Sequence, residues 1–299
     1  MSELRTKILR FAYSISPFDI CGDATIPEQS DLIFSCIIPT YNRPENLDNI
    51  LHCLSIQDIP FNKYEVVIVE DGKSEDVIRL NKKYNNLLNI NLIHSEKSRH
   101  SVGKLRNIAL NVSRGKYLLF LDDDTQIWQS FFLSKLKNDF ELLPDVNCIQ
   151  VAGKPDRCFL EHKYFFLDEF SFATRCVAYR RESIRQVGGF VDSLKSYEDI
   201  ELSIRFSILR GRVYREQELY YLHPPLLFCS WQKPLANGLS FLTLYSRYSC
   251  LVWMLCFLNA IRFLPLLLSF SIQRRQWGKI SAGFLLAPFI KQKAHILYR

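Results

Sequence analysis

Three adjacent carboxylates, Asp122, Asp123 and Asp124, follow directly on the short apolar run Tyr117–Leu121. Such a run is the pattern of a strand buried on both faces of a parallel sheet. Side chains of an extended chain alternate with period two, so Asp122 and Asp124 are expected on the same side. Two hard oxygen ligands would then stand at the carboxyl edge, where open α/β sheets bind their ligands. Three like charges side by side repel unless a cation or a set of donors offsets them. Taken alone, the triplet reads more readily as a solvated acidic turn than as a cation site.

The elements around the triplet alternate. Residues 32–38 read as a first buried strand closed by Pro39, which cannot donate to a ladder. Residues 40–43 form a polar turn, and Pro44 stands at the first position of a helix over 45–57. A second strand, 64–69, ends in Glu70, Asp71 and Gly72, a turn with an acid at its lip. Helical periodicity at 77–84, a strand at 90–94 and a helix at 102–112 lead to the strand before the triplet. This order implies parallel strands joined by right-handed crossovers. A helix over 128–143 and a strand over 147–151 extend the pattern. A further strand is expected at 174–179, then a flexible turn at Gly188–Gly189 and a helix from Glu198 to about 209. No G-x-G-x-x-G follows the first strand and no G-x-x-x-x-G-K-[ST] occurs, which argues against a dinucleotide fold or a P-loop.

The 299 residues carry a net charge of +7. Nucleic-acid binding is the obvious reading of that charge, but its location argues otherwise. Beyond Glu218 there are nine lysines and arginines and no acid, so the excess belongs to a tail rich in long apolar runs. Such runs suit lipid better than nucleic acid. The nine cysteines are odd in number and lack a Cys-x-x-Cys pair, which favours reduced, buried thiols over a disulfide framework. No long apolar stretch near residue 1 marks a secretory signal.

The motifs SCIIPTYNRPENL, VVIVEDG, LRNIALNVSRGKYLLFLDDDT, RRESIRQVGGF and YEDIELSIRF, in this order, resemble the family 2 glycosyltransferases, whose fold is the GT-A nucleotide-sugar-binding fold. The resemblance spans about residues 32–225. It implies that Pro39 and Tyr41 lie by the nucleobase, with Asp71 accepting a hydrogen bond from it. Arg106 would stand near the nucleotide. Asp122 and Asp123 would line the nucleotide-sugar site, with Asp122 beside the ribose, and Asp124 would hold a divalent cation. Asp199 would be the catalytic base, with Gly189 and Glu198 on the acceptor and donor-sugar side. His223 lies where some GT-A enzymes offer a histidine to the metal. Glu70 departs from the family, which more often has aspartate there, and this leaves the nucleobase open.

These roles have independent physical grounds. A departing nucleoside diphosphate gains negative charge, which Mn²⁺ or Mg²⁺ would stabilise. An acceptor hydroxyl must lose a proton to a carboxylate such as Asp199. Glu198 and Asp199 also suit the first turn of a helix simply as acids facing its dipole. Arg106 would also serve as a solvated surface charge, and His223 as a structural histidine.

The expected organisation is an extension at 1–31, a GT-A domain at 32–232 and a basic, apolar helical segment at 233–299. Residues 250–272 have transmembrane length but contain Asn259, Arg262 and Pro265, which favours helices lying on an anionic membrane surface over one that crosses. A helical hairpin packed on protein is the other reading of this segment. The expected protein is an inverting, membrane-associated glycosyltransferase at the inner face of the cell membrane. It would take a nucleotide-sugar donor, uridine diphosphate-linked by expectation, and a saccharide or lipid-linked acceptor. The alternative is a non-catalytic nucleotide-sugar-binding or scaffold protein.

Overall fold

In the computed structural model, which describes residues 2–95, 101–155, 175–209, 211–224 and 230–290, the apolar runs become the strands of one sheet. Helix α1 (Ser2–Ile15) comes first. The strands are β1 (Phe34–Thr40), β2 (Tyr64–Glu70), β3 (Ile90–His94), β4 (Tyr117–Leu121), β5 (Cys148–Pro155), β6 (Cys176–Arg180) and β7 (Val213–His223). They lie in the order β3-β2-β1-β4-β6-β5-β7. Most neighbouring pairs are parallel; β6 runs antiparallel to both β4 and β5. The expected continuation of the parallel run from β4 to β5 is thus corrected: β6 is wedged between them. Pro39 likewise does not close β1. The ladder to β4 ends at Ile37, while the ladder to β2 runs on through Pro39 to Thr40. Proline is tolerated where a strand has lost its partner on one side.

The sheet is covered on both faces by α2 (Pro44–Ser55), α3 (Glu75–Tyr84), α4 (Val102–Leu110), α5 (Phe132–Leu142), α6 (Arg181–Val187) and α7 (Glu198–Ile208). Period-two alternation sorts the strand side chains. Cys36, Ile38, Val66, Ile68, Leu119 and Leu121 pack with Leu47, Leu51 and Phe132 of α2 and α5. Ile37, Val67, Val69, Leu118 and Phe120 pack with Leu105 and Ala109 of α4 and Leu202 and Phe206 of α7. Strands apolar on both faces demand this sandwich, and it brings the carboxyl ends of β1, β2, β3 and β4 to one edge.

The chain divides into two compact units. Residues 21–192 and 199–225 form the sheet unit, and residues 1–20, 193–198 and 226–299 the other. The second unit is helical, with α1, α8 (Gln232–Thr243), α9 (Cys250–Ile261) and α10 (Ile272–Ile290). Pairs of aromatic rings, Phe241 with Trp253 and Phe241 with Phe284, tie α8 to α9 and α10. The stretch Cys250–Leu268 is long and apolar enough to cross a membrane, and little of it is buried. Within it the α-helix ends at Ile261, and a 3-10 turn, Leu264–Leu268, follows.

Candidate active site

The triplet forms a turn at the end of β4, closed by the Thr125 N–H donating to the Asp122 carbonyl at 3.1 Å. Each carboxylate has its own partners. Asp122 accepts from Arg106 of α4 at 2.6 Å, and Arg175 stands 3.9 Å from its other oxygen. Asp123 turns toward β1, accepting from the Thr40 hydroxyl at 2.9 Å and from Arg43 at 3.3 Å. Asp124 accepts from the same Arg43 at 3.2 Å and faces His223 Nε2 at 3.1 Å. Donors therefore offset the repulsion among the three acids.

Environment separates the acidities of Asp123 and Asp124. Burial pushes Asp123 up to about 6; Arg43 and Thr40 pull it down, and Asp124 and Asp122 push it further up. Burial also opposes ionisation of Asp124, but the hydrogen bond and charge of His223, with Arg43 and Arg175, outweigh it and hold that carboxyl below its usual range.

Residues 99 positions apart meet here because of one small bridge. Gln126 and Leu222 exchange backbone hydrogen bonds at 3.0 and 2.9 Å, which zips the end of β7 onto the segment following the triplet and sets His223 beside Asp124. His223 Nδ1 lies 2.6 Å from the Pro224 carbonyl oxygen, which can only accept, so Nδ1 carries a hydrogen. Nε2 is then the nitrogen turned to Asp124. A histidine held through one nitrogen by a carbonyl, with the other beside a carboxylate, has the arrangement of metal-ligating histidines. One ligand atom each from Asp122, Asp124 and His223 lies within 4.8 Å of the others. That spread is near the separation of about 3–4 Å between ligands of a single octahedral cation. The donor set fits a divalent ion.

Pro39, Tyr41 and Asp71 stand at the carboxyl ends of β1 and β2. Pro39 is buried in β1, and the Asp71 N–H donates to the carbonyl of its neighbour Thr40 at 2.9 Å. Tyr41 is 58% exposed just beyond β1, and Asp71 is buried in a turn that Gly72 completes at φ +115°. The neighbouring Glu70 is committed elsewhere: its carboxylate accepts from Ser74 at the start of α3 at 2.6 Å and meets His94 of β3 at 2.8 Å.

From Arg106 the chain leads toward α7. Asn107 donates to the Phe190 carbonyl at 2.9 Å and to the Asp192 carboxylate at 2.7 Å, and accepts from the Phe190 N–H at 2.8 Å. This pins the turn at Gly188 and Gly189, whose φ angles are +64° and +69°. A Cβ on Gly189 would stand 2.7 Å from the Asn107 oxygen, and one on Gly188 2.8 Å from the Gly22 nitrogen. The expected flexible turn is therefore corrected to a fixed one, glycine being required by both conformation and space. Arg205 of α7 donates to the Val187 and Gly189 carbonyls and, through two hydrogen bonds of 2.6 Å, to Glu201. Asp199, in the first turn of the same helix, is half-buried and accepts from the Ile200 N–H at 2.8 Å. Burial above all, then the neighbouring Cys148 and to a lesser extent Asp199, raise the Tyr179 hydroxyl well above its usual range, with Arg106 opposing them. Glu198, the first residue of α7, is half-buried.

The site thus joins Asp122, Asp123, Asp124, Arg106 and His223 directly. Sequence reasoning missed Arg43, Arg175 and Asn107. In the sequence Arg43 reads only as part of a polar turn, and nothing local announces that it bridges two acids some 80 positions on.

A family model, Glycosyl transferase family 2, matches residues 35–189, just over half of the chain. The chain belongs to glycosyl transferase family 2. Among curated members of the family it is similar to the poly(ribitol-phosphate) beta-N-acetylglucosaminyltransferase TarS of Staphylococcus aureus, 37% identical over 94 residues, or 31% of this chain and 16% of TarS. The match thus spans well under two thirds of that relative. Two solved structures share the fold. Residues 1–349 of S. aureus TarS in complex with UDP-GlcNAc superpose with a TM-score of 0.58 at 21% identity, covering 86% of this chain and 73% of that one. The mannosyltransferase PcManGT of Pyrobaculum calidifontis, in complex with GDP-Man and Mn²⁺, gives 0.62 at 16% identity, covering 97% and 98%. The GT-A fold expected from the sequence is the fold of this family 2 chain.

Proposed function

We propose that this chain is an inverting glycosyltransferase. It moves a sugar from a nucleoside diphosphate donor, uridine-linked by the likeness to TarS, to a hydroxyl of a saccharide or lipid-linked acceptor in the synthesis of a glycan, cell-surface polysaccharide or glycolipid. The observation that carries this reading is the convergence of Asp122, Asp124 and His223 on one point, backed by the Arg106 and Arg43 cations. Asp124 and His223 would hold Mn²⁺ or Mg²⁺. When bound, that ion would neutralise the charge growing on the departing diphosphate.

The chain's own residues supply the rest. Exposed Tyr41 offers a face to the nucleobase, Asp71 an acceptor for its N–H, and Pro39 a rigid backing for the loop. Asp122 and Asp123 stand on the ribose and donor side, with Arg106 fixing the Asp122 carboxylate. Gly189, in its fixed turn, and Glu198 border the sugar and acceptor. Asp199 takes the proton of the acceptor hydroxyl as that oxygen attacks the anomeric carbon from the face opposite the diphosphate. One displacement of this kind inverts the configuration.

The C-terminal helices would bring the enzyme to the cytoplasmic face of a membrane. The 12-residue helix α9 is about 18 Å long at 1.5 Å per residue, short of a hydrocarbon core of about 30 Å, which supports helices lying in the interface. The test is nucleoside diphosphate release by the full chain from a panel of nucleotide sugars. Turnover should require a divalent cation, and Asp199→Asn should lower kcat by roughly 10²–10⁴-fold with donor binding retained. Donor binding without turnover in the wild type would favour the non-catalytic alternative. Undiminished turnover in Asp199→Asn would refute the assigned base.

A further inference from the structure

Helix α1 has two apolar faces, and its own unit covers one of them. Leu9 and Ala12 are buried, and Arg5 donates to the Asn259 side chain of α9 at 3.3 Å, so this side packs within the helical unit. Leu4, Ile8, Phe11 and Ile15 follow at i, i+4, i+7 and i+11, a single stripe along the helix, and all four are exposed, Phe11 to 67%. Lys7 and Ser14 border the stripe on its outer side, with Arg10 beyond. Helix α9 carries a matching stripe of exposed Leu251, Met254 and Leu258, with Val252 and Cys256 facing inward. Two helices packed on each other thus both leave large apolar side chains in water.

The charge of this unit indicates what covers them. It holds 13 of the chain's 38 lysines and arginines but only 3 of its 31 acids, a net +10, whereas the sheet unit carries 25 against 28, a net −3. A second copy of a +10 surface would repel itself, while an anionic bilayer attracts both the cations and the apolar stripe.

We propose that α1 is a membrane-docking helix, inserting Leu4, Ile8, Phe11 and Ile15 at the headgroup–acyl boundary of an anionic membrane together with the exposed side of α9. This rests on the membrane attachment proposed above and adds a second element, one far from the basic tail in sequence. An amphipathic helix with cations flanking its apolar face binds by buried apolar area plus attraction to anionic lipid.

The experiment is co-sedimentation of the full chain with vesicles of phosphatidylcholine alone or with added phosphatidylglycerol. Ile8→Gln with Phe11→Gln removes apolar surface and leaves the charge unchanged; Met254→Gln with Leu258→Gln does the same on α9. All four side chains are exposed, so melting curves should coincide with the wild type. Each pair should reduce partitioning into the anionic vesicles by on the order of tenfold or more, and the two pairs together should abolish it. Unaltered binding of the α1 pair alongside weakened binding of the α9 pair would overturn the role of α1 and leave tail attachment standing. No binding by the wild type would remove the membrane reading altogether. A wild-type dimer in solution that the α1 pair converts to monomer would assign the stripe to a second copy instead.

Discussion

Two arginine–carboxylate pairs in the sheet unit have the same chemistry and opposite settings. Arg205 and Glu201, one helical turn apart on α7, are 1% and 0% exposed, and the arginine also binds the carbonyls of the Gly188–Gly189 turn. Arg106 and Asp122 join α4 to the end of β4; the arginine is equally buried, but the carboxylate is 26% exposed and has Arg175 at its other oxygen. The first pair is closed on itself and fixes a turn. The second leaves its acid reachable by a ligand, within a cluster where Arg43, Arg106 and Arg175 stand against the three acids. Exposure of the acid, more than the presence of the pair, separates scaffold from site.

The sealed pair should give the largest effect. Glu201→Gln leaves the Arg205 charge uncompensated, and the expected loss is about 3–5 kcal/mol of stability, read from urea unfolding. If the loss were under about 1 kcal/mol, comparable to an exposed pair, the contrast between the two settings would collapse. At the open edge the effect should appear in turnover. Asp124→Ala is expected to lower kcat by roughly 10²–10³-fold with an unfolding midpoint close to wild type, and chelation of divalent cations should mimic it reversibly. His223→Ala should be milder, raising the cation concentration for half-maximal activity by about 10–100-fold; an unaltered metal titration would return His223 to a structural role.

The smallest effect belongs to a third pair, Asp48 with Lys83, at 2.7 Å on the outside of α2 and α3. Burial works against ionisation of Asp48, but hydrogen bonds from Lys83 and Tyr84 outweigh it and hold the carboxyl below its usual value. A carboxyl with its pKa depressed on folding stabilises the protein above its unfolded value near 3.9, and the contribution fades as pH falls through the folded value. Asp48→Asn should therefore lower the melting temperature slightly at pH 7, by about 1–2 °C, with the difference shrinking toward pH 3.

Much of the sheet was legible. Strands 90–94 and 117–121 fell at their observed bounds, because short apolar runs between helical segments leave the chain few alternatives. Strand β7 was not foreseen: its residues 213–218 include Arg215, Glu216 and Glu218, and only its second half is apolar. The antiparallel wedge of β6 was also hidden, since strand neighbours are chosen by packing between distant segments. The same limit applied to the site. The triplet announced itself through three unscreened charges, whereas Arg43, Arg175 and Asn107 had ordinary local contexts.

By itself, the sequence determined that the apolar runs at 32–38, 64–69, 90–94 and 117–121 form strands, that acids end β4, and that the excess positive charge belongs to the segment after Glu218. Periodicity and charge are properties of neighbours along the chain, and that is where they can be read. Only the tertiary structure decided that His223 stands across from Asp124, that Arg43 spans two of the three acids, and that Arg205 locks the glycine turn. Those contacts depend on sheet order and on the Gln126–Leu222 bridge, and side-chain distances of about 3 Å between segments remote in sequence are fixed only when the whole sheet is assembled.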